Sequence, residues 1–491
     1  MYYSIELMLY FSSFLYFFLF LINLSFKSFT RNQIFFSFII LLFSVGFILC
    51  YQLFTINNNL IYINSLYLYS KGLIALKTVI IFFFLFYFIF ISKQSLIYIN
   101  LEIFFFLILN FILSLFGIAS SNNFFLIFIF LEFQTFITII LVSFLRYKKL
   151  SINGIFLYFL LTSLFAIYFL FSLLIIYGLF RTFTISEVSL LIDCCKSLNI
   201  NILWIKISAL FIFLNLLFKL ASVPFHFWIR DVYMGATTPL LGFLTTVTKI
   251  PMFYLLLKMF TVFNIIEYNT SLIKLLFICG VLSLIYGTLL TVKQTTIKTF
   301  LICSSITHVG FLLILLMYIE DRFYLINLFG YLINYTFTLM GLWIILTRVY
   351  EFSIRDDFAF TRLSLYFKYY KKLGIVFCSA LLSLAGLPPF IGFFFKYNIF
   401  LALYNDYHYF ALTLSILIGA FTLYYYLKLV KLIFLDKLFN TTNILLQIKL
   451  FFSKKKNIYF FLIGLSVLTL LFFLCYDLII IISRHITKHI I

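Results

Sequence analysis

Apolar residues run along this chain in continuous blocks of about twenty, each closed by a few polar residues, with no strand-like alternation. A block of that length spans a bilayer as a helix, and backbone at membrane depth must satisfy its own hydrogen bonds, so the pattern predicts a helical membrane protein. The blocks fall at about residues 7–26, 34–56, 73–92, 101–119, 123–145, 154–179, 202–229, 238–263, 271–291, 297–317, 323–348, 374–402, 408–435 and 457–484, giving about fourteen transmembrane helices. Continuous apolar runs exclude a β-barrel, whose strands alternate between lipid and lumen. The first block lacks a basic leader and a small-residue cleavage site, so it is expected to span. Loops are short except near 180–201, 349–373 and 436–456, which suggests one compact membrane domain.

Two of these blocks are interrupted. The seventh holds Pro224 and the twelfth holds Pro388 and Pro389. A proline inside a helix removes a hydrogen bond and clashes with the preceding turn, so both helices should open there. Each break has a lysine nearby, Lys219 in one and Lys396 in the other. The spacing also repeats: Glu132 precedes Lys219 by 87 residues, and His308 precedes Lys396 by 88. Interrupted helices at matching places in two halves point to inverted repeats with a site at the midplane. The expected division is 1–119 for the N-terminal helices, the last opening the first repeat, 101–263 for a first five-helix repeat and 271–435 for a second. A basic loop and C-terminal helix follow over 436–491.

Composition agrees and narrows the chemistry. The 491 residues are 65% hydrophobic and only 10% charged, far below the roughly 25% of a soluble domain. The net charge of +20 reads as loop Lys and Arg that orient the spans, not as a nucleic-acid surface. The groups Arg146/Lys148/Lys149, Arg362/Lys368/Lys371/Lys372 and Lys454/Lys455/Lys456 all follow odd-numbered spans, so both termini should face away from the matrix or cytoplasm. Heavy use of Phe, Tyr, Ile, Asn and Lys, with scarce Pro and Gly, suggests an A/T-rich organellar genome. The seven cysteines, at 50, 194, 195, 279, 303, 378 and 475, show no metal-ligand spacing and read as packing residues. No P-loop, dinucleotide fingerprint, haem or iron–sulfur motif appears, so no cofactor or metal site is expected in this chain.

An ionisable group at the centre of a bilayer costs roughly 2.5–3.5 kcal/mol on insertion scales, so each one calls for a partner or a task. Glu132 is the only acid inside the fifth span, and Lys219 is its expected partner. Lys249 lies near the centre of the eighth span. Glu132, Lys219, Lys249, His308 and Lys396 would then form a polar line at mid-depth. A lysine beside a helix break alternates between dry and hydrated surroundings, and its hold on a proton alternates with them. Histidine suits such a relay because it titrates near neutrality. Against these stand bland alternatives: lysines nearer span ends, Lys77, Lys428 and Lys431, are expected to snorkel to the interface. His226 reads as structural or interfacial, Glu6 and Glu102 as interfacial, and the Phe and Tyr stripes as lipid-facing or core surface.

The run FKLASVPFHFWIRDVYMGATTPLLGFLTTVTKI, Phe218 to Ile250, resembles the signature region of the subunit 2 family of respiratory complex I, NADH:ubiquinone oxidoreductase, called subunit N in bacteria. QTTIKTFLICSSITHVG (Gln294 to Gly310) and LSLAGLPPFIGFFFK (Leu382 to Lys396) are similar to that family's segments in spans ten and twelve. Arg230, the pair Ile302–Cys303 and Phe395 depart from its usual residues, leaving the titratable set intact.

The resemblance implies an antiporter-like membrane-arm subunit that takes part in proton translocation, with Glu132 modulating, Lys219 switching, Lys249 connecting, His308 completing the wire and Lys396 at the outlet. It further implies the mitochondrial inner membrane, neighbouring antiporter-like subunits and lipids as partners, and NADH, FMN, iron–sulfur clusters and ubiquinone in other subunits. The alternatives are a subunit 4 or 5 type, a stand-alone cation/proton antiporter, or a non-pumping structural subunit. DVYMGATTP (Asp231 to Pro239) favours subunit 2 over the first, and a scaffold has no reason to keep a buried carboxylate and three central lysines.

Overall fold

Hydrocarbon offers no water to a bare peptide group, and the described apolar blocks accordingly close their backbones as helices. The computed structural model describes residues 31–55, 61–63, 66–91, 100–143, 149–198, 202–264, 270–318, 321–350, 360–434 and 476–487. The first predicted span, most of the last and the basic loop before it lie outside these residues. Among the described residues ten helices are long and apolar enough to cross a membrane. The chain is a polytopic all-α membrane protein.

The described residues group into two compact units where the short loops suggest one domain, and the chain passes from the first to the second at residues 276–277. The first unit begins with α1 (Arg31–Thr55), a small hairpin of β1 (Ile61–Ile63) and β2 (Tyr67–Tyr69), α2 (Lys71–Phe90) and α3 (Leu101–Ser120). It continues through α4 (Phe124–Val142), α5 (Lys149–Phe180), α6 (Ile185–Leu198), α7 (Ile202–Lys219), α8 (Phe227–Gly235), α9 (Thr238–Leu244) and α10 (Lys249–Asn264). The hairpin is antiparallel, with Ile61 opposite Tyr69. It is the only strand pair among the described residues, and three-residue strands are too short to leave a period in the sequence. Helix α6 occupies what reads as a loop at 180–201.

After α11 (Thr270–Val292), which starts in the first unit and lies mostly in the second, come α12 (Ile297–Leu315), α13 (Arg322–Tyr350), α14 (Phe360–Tyr369), α15 (Lys371–Ala385), α16 (Ile391–Asn405) and α17 (Tyr409–Phe434). A last helix, α18, covers Tyr476–Thr487. Within the second unit α12 lies against α11 through small residues: a Cβ on Gly310 would meet Ser283 and Gly280, and one on Gly287 would meet Thr307. Small residues let helix backbones approach where hydrophobic driving force is absent. That close approach seats α12, which carries His308 and is buried along its whole length.

Predicted spans seven and twelve are each split, into α7 with α8 and α15 with α16. The two stops have the same construction. Helix α7 ends with Ser222 N–H donating to the Leu217 carbonyl and Ala221 N–H to the Phe218 carbonyl, with Ala221 left-handed at φ +56°. Helix α15 ends with Leu387 N–H donating to the Leu382 carbonyl and Gly386 N–H to the Leu382 and Ser383 carbonyls, with Gly386 left-handed at φ +81°. Both are Schellman endings, which close the last carbonyls of a helix that cannot continue. In each, the left-handed residue stands three positions before a proline, Pro224 or Pro389.

Candidate functional site

In the first unit the site is built where α7 stops beside α4. Helix α4 starts cleanly, because the Asn123 side chain accepts from Phe125 N–H at 2.9 Å. It places Glu132 two and a half turns in. Lys219 is the last residue of α7, so its side chain leaves the helix at the stop and reaches α4. Its Nζ lies 3.8 Å from Glu132 Oε1 and donates to the Leu131 carbonyl at 3.1 Å. The side chains are 4% and 19% exposed, so the lysine is buried and the carboxylate is partly exposed. The other carboxylate oxygen, Oε2, takes a hydrogen bond from the Thr135 hydroxyl at 3.3 Å.

Side chains add second donors to the carbonyls at the α7 stop. Trp228, at the start of α8, donates its indole N–H to the Phe218 carbonyl at 3.1 Å, and the Ser222 hydroxyl donates to the Leu217 carbonyl at 3.1 Å. A small cavity lies beside Lys219. It measures about 30 Å³ and is lined by Lys219, Gln134, Thr138, Tyr158, Tyr233 and Thr248 among others, room for about two water molecules at roughly 10–15 Å³ each.

Thr248 brings the cavity to the residue before Lys249. The eighth span is itself loosened there, between α9 and α10, which the sequence reading missed. Thr245, Thr246 and Thr248 turn their hydroxyls back to the carbonyls of Leu241, Gly242 and Leu244, and such back-bonding bends helices. The backbone then tightens to three-residue bonds, Lys249 N–H to Thr246 and Ile250 N–H to Val247. Lys249 starts α10, buried. The run TTVTK carried the signal, since three threonines in four residues crowd a helix interior.

In the second unit Lys396 sits on the far half of its broken helix and reaches back across the stop. Its Nζ donates to the Ala385 carbonyl at 2.7 Å, the last residue of α15, and to the Thr422 hydroxyl of α17 at 3.2 Å. It also lies 5.4 Å from the ring centre of Phe311. An ammonium at a helix C-terminus meets the negative end of the dipole, and the ring face adds to that. At 4% exposure it does not snorkel. Gly386 makes the reach possible twice over, by its left-handed φ and because a Cβ there would stand 2.8 Å from Lys396 Cδ.

His308, on α12, is buried with both ring nitrogens at tyrosine hydroxyls: Nδ1 is 2.7 Å from Tyr331 Oη and Nε2 is 3.2 Å from Tyr426 Oη. So not all tyrosines are passive surface, and that part of the sequence reading is corrected. Their signal was hidden in a chain with 35 tyrosines.

Two further lysines differ from expectation. Lys77 is 3% exposed and does not snorkel; its Nζ lies between the rings of Tyr69 and Phe116, 5.8 and 5.5 Å from their centres. An aromatic-rich bundle can hold a cation on ring faces that a hydropathy scale counts only as apolar. Lys258, which the sequence reading passed over, is buried on α10 and donates to the Ser121 carbonyl at the end of α3. Its position four residues past Tyr254 inside an apolar run was the available clue. His226 precedes α8 and is half-buried, as an interfacial residue would be. Among the described residues no three His, Cys, Asp or Glu side chains gather as metal ligands.

Residues 121–422, more than half the chain, match the family described as NADH:quinone oxidoreductase/Mrp antiporter, TM. The chain is 31% identical to the NADH-ubiquinone oxidoreductase chain 2 of Rhizopus oryzae over 66% of its own length and 62% of that protein's, so it spans about six-tenths of this relative. It is 30% identical to a NADH-quinone oxidoreductase subunit N of Thermodesulfovibrio yellowstonii, covering 67% of this chain and 70% of the other. Its fold is similar to a chain of respiratory complex I from Thermus thermophilus, with a TM-score of 0.74 at 20% identity over 97% and 98% of the two chains. The matched segment holds Glu132, Lys219, Lys249, His308, Lys396 and both helix breaks. The chain belongs to the NADH:quinone oxidoreductase/Mrp antiporter transmembrane family, in its subunit N (chain 2) branch.

Proposed function

We propose that the chain is the proton-translocating, antiporter-like subunit 2 of a NADH:ubiquinone oxidoreductase, carrying protons while quinone is reduced elsewhere in the complex. The observation that carries this reading is the Glu132–Lys219 pair, 3.8 Å apart, with the lysine buried at a helix stop and lining a water-sized cavity. A scaffold gains nothing from such a pair, because two well-packed apolar residues hold helices as well or better. A transporter needs it, since a charge that can leave its partner and meet water moves a proton.

In this reading Glu132 tunes Lys219, Lys219 passes its proton through the cavity toward Thr248 and Lys249, and His308 and Lys396 continue the path. Pro224, Pro388 and Pro389 mark the breaks that free the lysines from regular helix. We take the full span count as fourteen: the ten helices long and apolar enough to cross, the two broken ones, and the apolar block at each end of the sequence. Two inverted five-helix repeats, over 101–263 and 271–435, carry the two similar stops; the shared Schellman ending before a proline supports that symmetry. The protein resides in the mitochondrial inner membrane with both termini toward the intermembrane space, beside other antiporter-like membrane-arm subunits. NADH, FMN, iron–sulfur clusters and ubiquinone belong to partner subunits. The test is Lys219→Ala in the assembled complex: coupled proton transfer should be abolished while assembly survives, and normal coupled turnover overturns the role.

A further inference from the structure

An amide buried without a partner lowers stability and returns nothing to packing, because an apolar side chain of the same shape fills its place without that cost. Gln134 on α4 is such a residue. It stands two positions past Glu132, is 5% exposed, and its Oε1 meets no donor among the described residues. It lines the cavity of about 30 Å³ that Lys219 also lines. The wall therefore holds one acceptor whose hydrogen bond has to come from a guest.

The other polar groups of the wall define that guest. The Thr138 hydroxyl donates to the Thr135 carbonyl at 2.8 Å, the Thr248 hydroxyl to the Leu244 carbonyl at 2.9 Å, and the Tyr233 hydroxyl to the same carbonyl at 3.2 Å. A hydroxyl carries one hydrogen, so toward a guest these three can only accept. The Tyr158 hydroxyl has the Thr138 side chain as its own partner. Lys219 is the opposite kind of neighbour. Of its three N–H bonds one goes to the Leu131 carbonyl and one faces Glu132, which leaves the third. A guest here takes a hydrogen from an ammonium and gives its own hydrogens to neutral oxygens. Water does both, and the volume admits about two molecules at roughly 10–15 Å³ each. A resident metal cation fits poorly, because the ammonium in the wall repels it.

We propose that Gln134 is a positioning residue for proton transfer: its amide oxygen, with the hydroxyl oxygens of Thr138, Tyr233 and Thr248, holds the cavity water that takes the proton of Lys219 and stabilises it as hydronium. This rests on the reading of Lys219 as a proton carrier. In the step one N–H bond of the ammonium breaks, its electron pair stays on Nζ, and one O–H bond forms on the water. The positive charge moves from nitrogen to oxygen, and the total is unchanged. The hydronium then hands a hydrogen to the second water and is itself left as water. Neutral oxygens suit this task, since a carboxylate in their place would keep the proton instead of passing it on. Glu132, whose charge holds the proton on Lys219, and Gln134, whose oxygen helps it leave, thus act in opposite senses from one helix.

The test uses the whole complex carrying this chain, reconstituted in proteoliposomes and driven by NADH with a short-chain quinone. Proton translocation, thermal midpoint and assembly on native gels are all followed. Gln134→Met keeps the shape of the side chain and removes the amide. Translocation should fall at least about tenfold, within the range of general acid–base steps, while the thermal midpoint is unchanged or raised, since a buried acceptor without a protein partner has gone. A lower midpoint, with or without slower translocation, marks a structural glutamine and overturns the proposal. Thr138→Val should slow translocation by a similar factor, about tenfold, and Thr138→Ser, which keeps the oxygen, should recover most of the rate; equal losses in the two overturn the acceptor role. Lys219→Ala separates the two levels of the argument. If it is defective while Gln134→Met translocates normally, the water station is wrong and the proposed function stands. If Lys219→Ala itself translocates normally, the proposed function fails and the water station fails with it. Should Gln134→Met fail to assemble, the Thr138 pair decides.

Discussion

Glu132 and Lys219 should act as one unit, and a double-mutant cycle on proton pumping reads that directly. At 3.8 Å two unit charges attract by about 4 kcal/mol at an effective dielectric near 20, the value suited to sites close to a protein surface or cavity. That corresponds to roughly a thousandfold bias on how the pair's charge states are populated, at about 1.4 kcal/mol per tenfold. Glu132→Gln keeps the shape and the Thr135 contact of the side chain but removes its charge, so Lys219 loses the whole bias. Lys219→Ala removes the titrating group. Each single variant should therefore lose most of the pumping rate, by about a hundredfold or more, with some of the full bias recovered by relaxation and water.

The double variant Glu132→Gln/Lys219→Ala should be no slower than Lys219→Ala alone, because residues that work as a unit are grossly non-additive. Pumping would be followed as NADH-driven acidification of reconstituted vesicles, with quinone reduction recorded in parallel and assembly checked on native gels. Losses that multiply would show two independent contributions and refute the coupling inferred from the geometry. Unchanged pumping in Glu132→Gln would refute it more simply.

Three further substitutions probe the architecture around the stations. Gly386→Ala forces a side chain into a left-handed residue, at about 1–2 kcal/mol, and into the space of Lys396 Cδ; pumping should drop while Gly386→Asn, better suited to that backbone, falls less, and equal activity of the two would count against the account. Trp228→Phe removes the indole donor that shares the Phe218 carbonyl with Ala221 N–H at the α7 stop, which should cost about 1 kcal/mol and lower the thermal midpoint of the complex with little change in Glu132–Lys219 coupling; an unaltered midpoint would show that the backbone donor alone satisfies that carbonyl. Lys258→Met leaves the Ser121 carbonyl at the end of α3 without its ammonium, a loss of about 1–3 kcal/mol for a buried acceptor, so thermal stability should fall more than the pumping rate of folded complex, and the reverse order would give Lys258 a transport role.

Much of this fold is legible in the sequence because a bilayer leaves few choices. Any twenty-residue apolar run must be a helix, and a proline with a lysine close by must break it, so spans seven and twelve could be located before any coordinate was known. The pairing of Glu132 with Lys219 was legible for a related reason, since a lone acid in an apolar helix has few partners. What stayed hidden depended on atoms whose residue types are common here. Tyr331 and Tyr426 differ from other tyrosines only by what their hydroxyls touch, and that is set by the register of α12, α13 and α17. Lys77 was misjudged because distance to a span end is a poor guide when Tyr69 and Phe116 offer ring faces to the ammonium. The loosening before Lys249 was readable in TTVTK, but threonine is also frequent in regular membrane helices, so the signal does not stand out without the back-bonded hydroxyls.

On the proposed reading, the two broken helices resolve one physical conflict in opposite ways. A lysine that must change its proton has to leave the regular helix, where its neighbours are fixed, yet it cannot reach lipid, where nothing can receive the proton. Lys219 solves this as the final residue before its stop, projecting from α7 onto α4, where a carboxylate waits. Lys396 solves it from beyond its stop, folding back over Gly386 to the Ala385 carbonyl, where neutral oxygens wait instead. A lysine held by a carboxylate can be switched by moving that one charge; a lysine held by a carbonyl and a hydroxyl has no such charge to move. The first arrangement suits a gate whose state is set from outside, the second a terminus that responds to its supply. Exchanging the arrangements should exchange the behaviour: a carboxylate introduced by Thr422→Glu should hold Lys396 as Glu132 holds Lys219 and stall pumping at the last step, and undiminished turnover in that variant would deny the distinction.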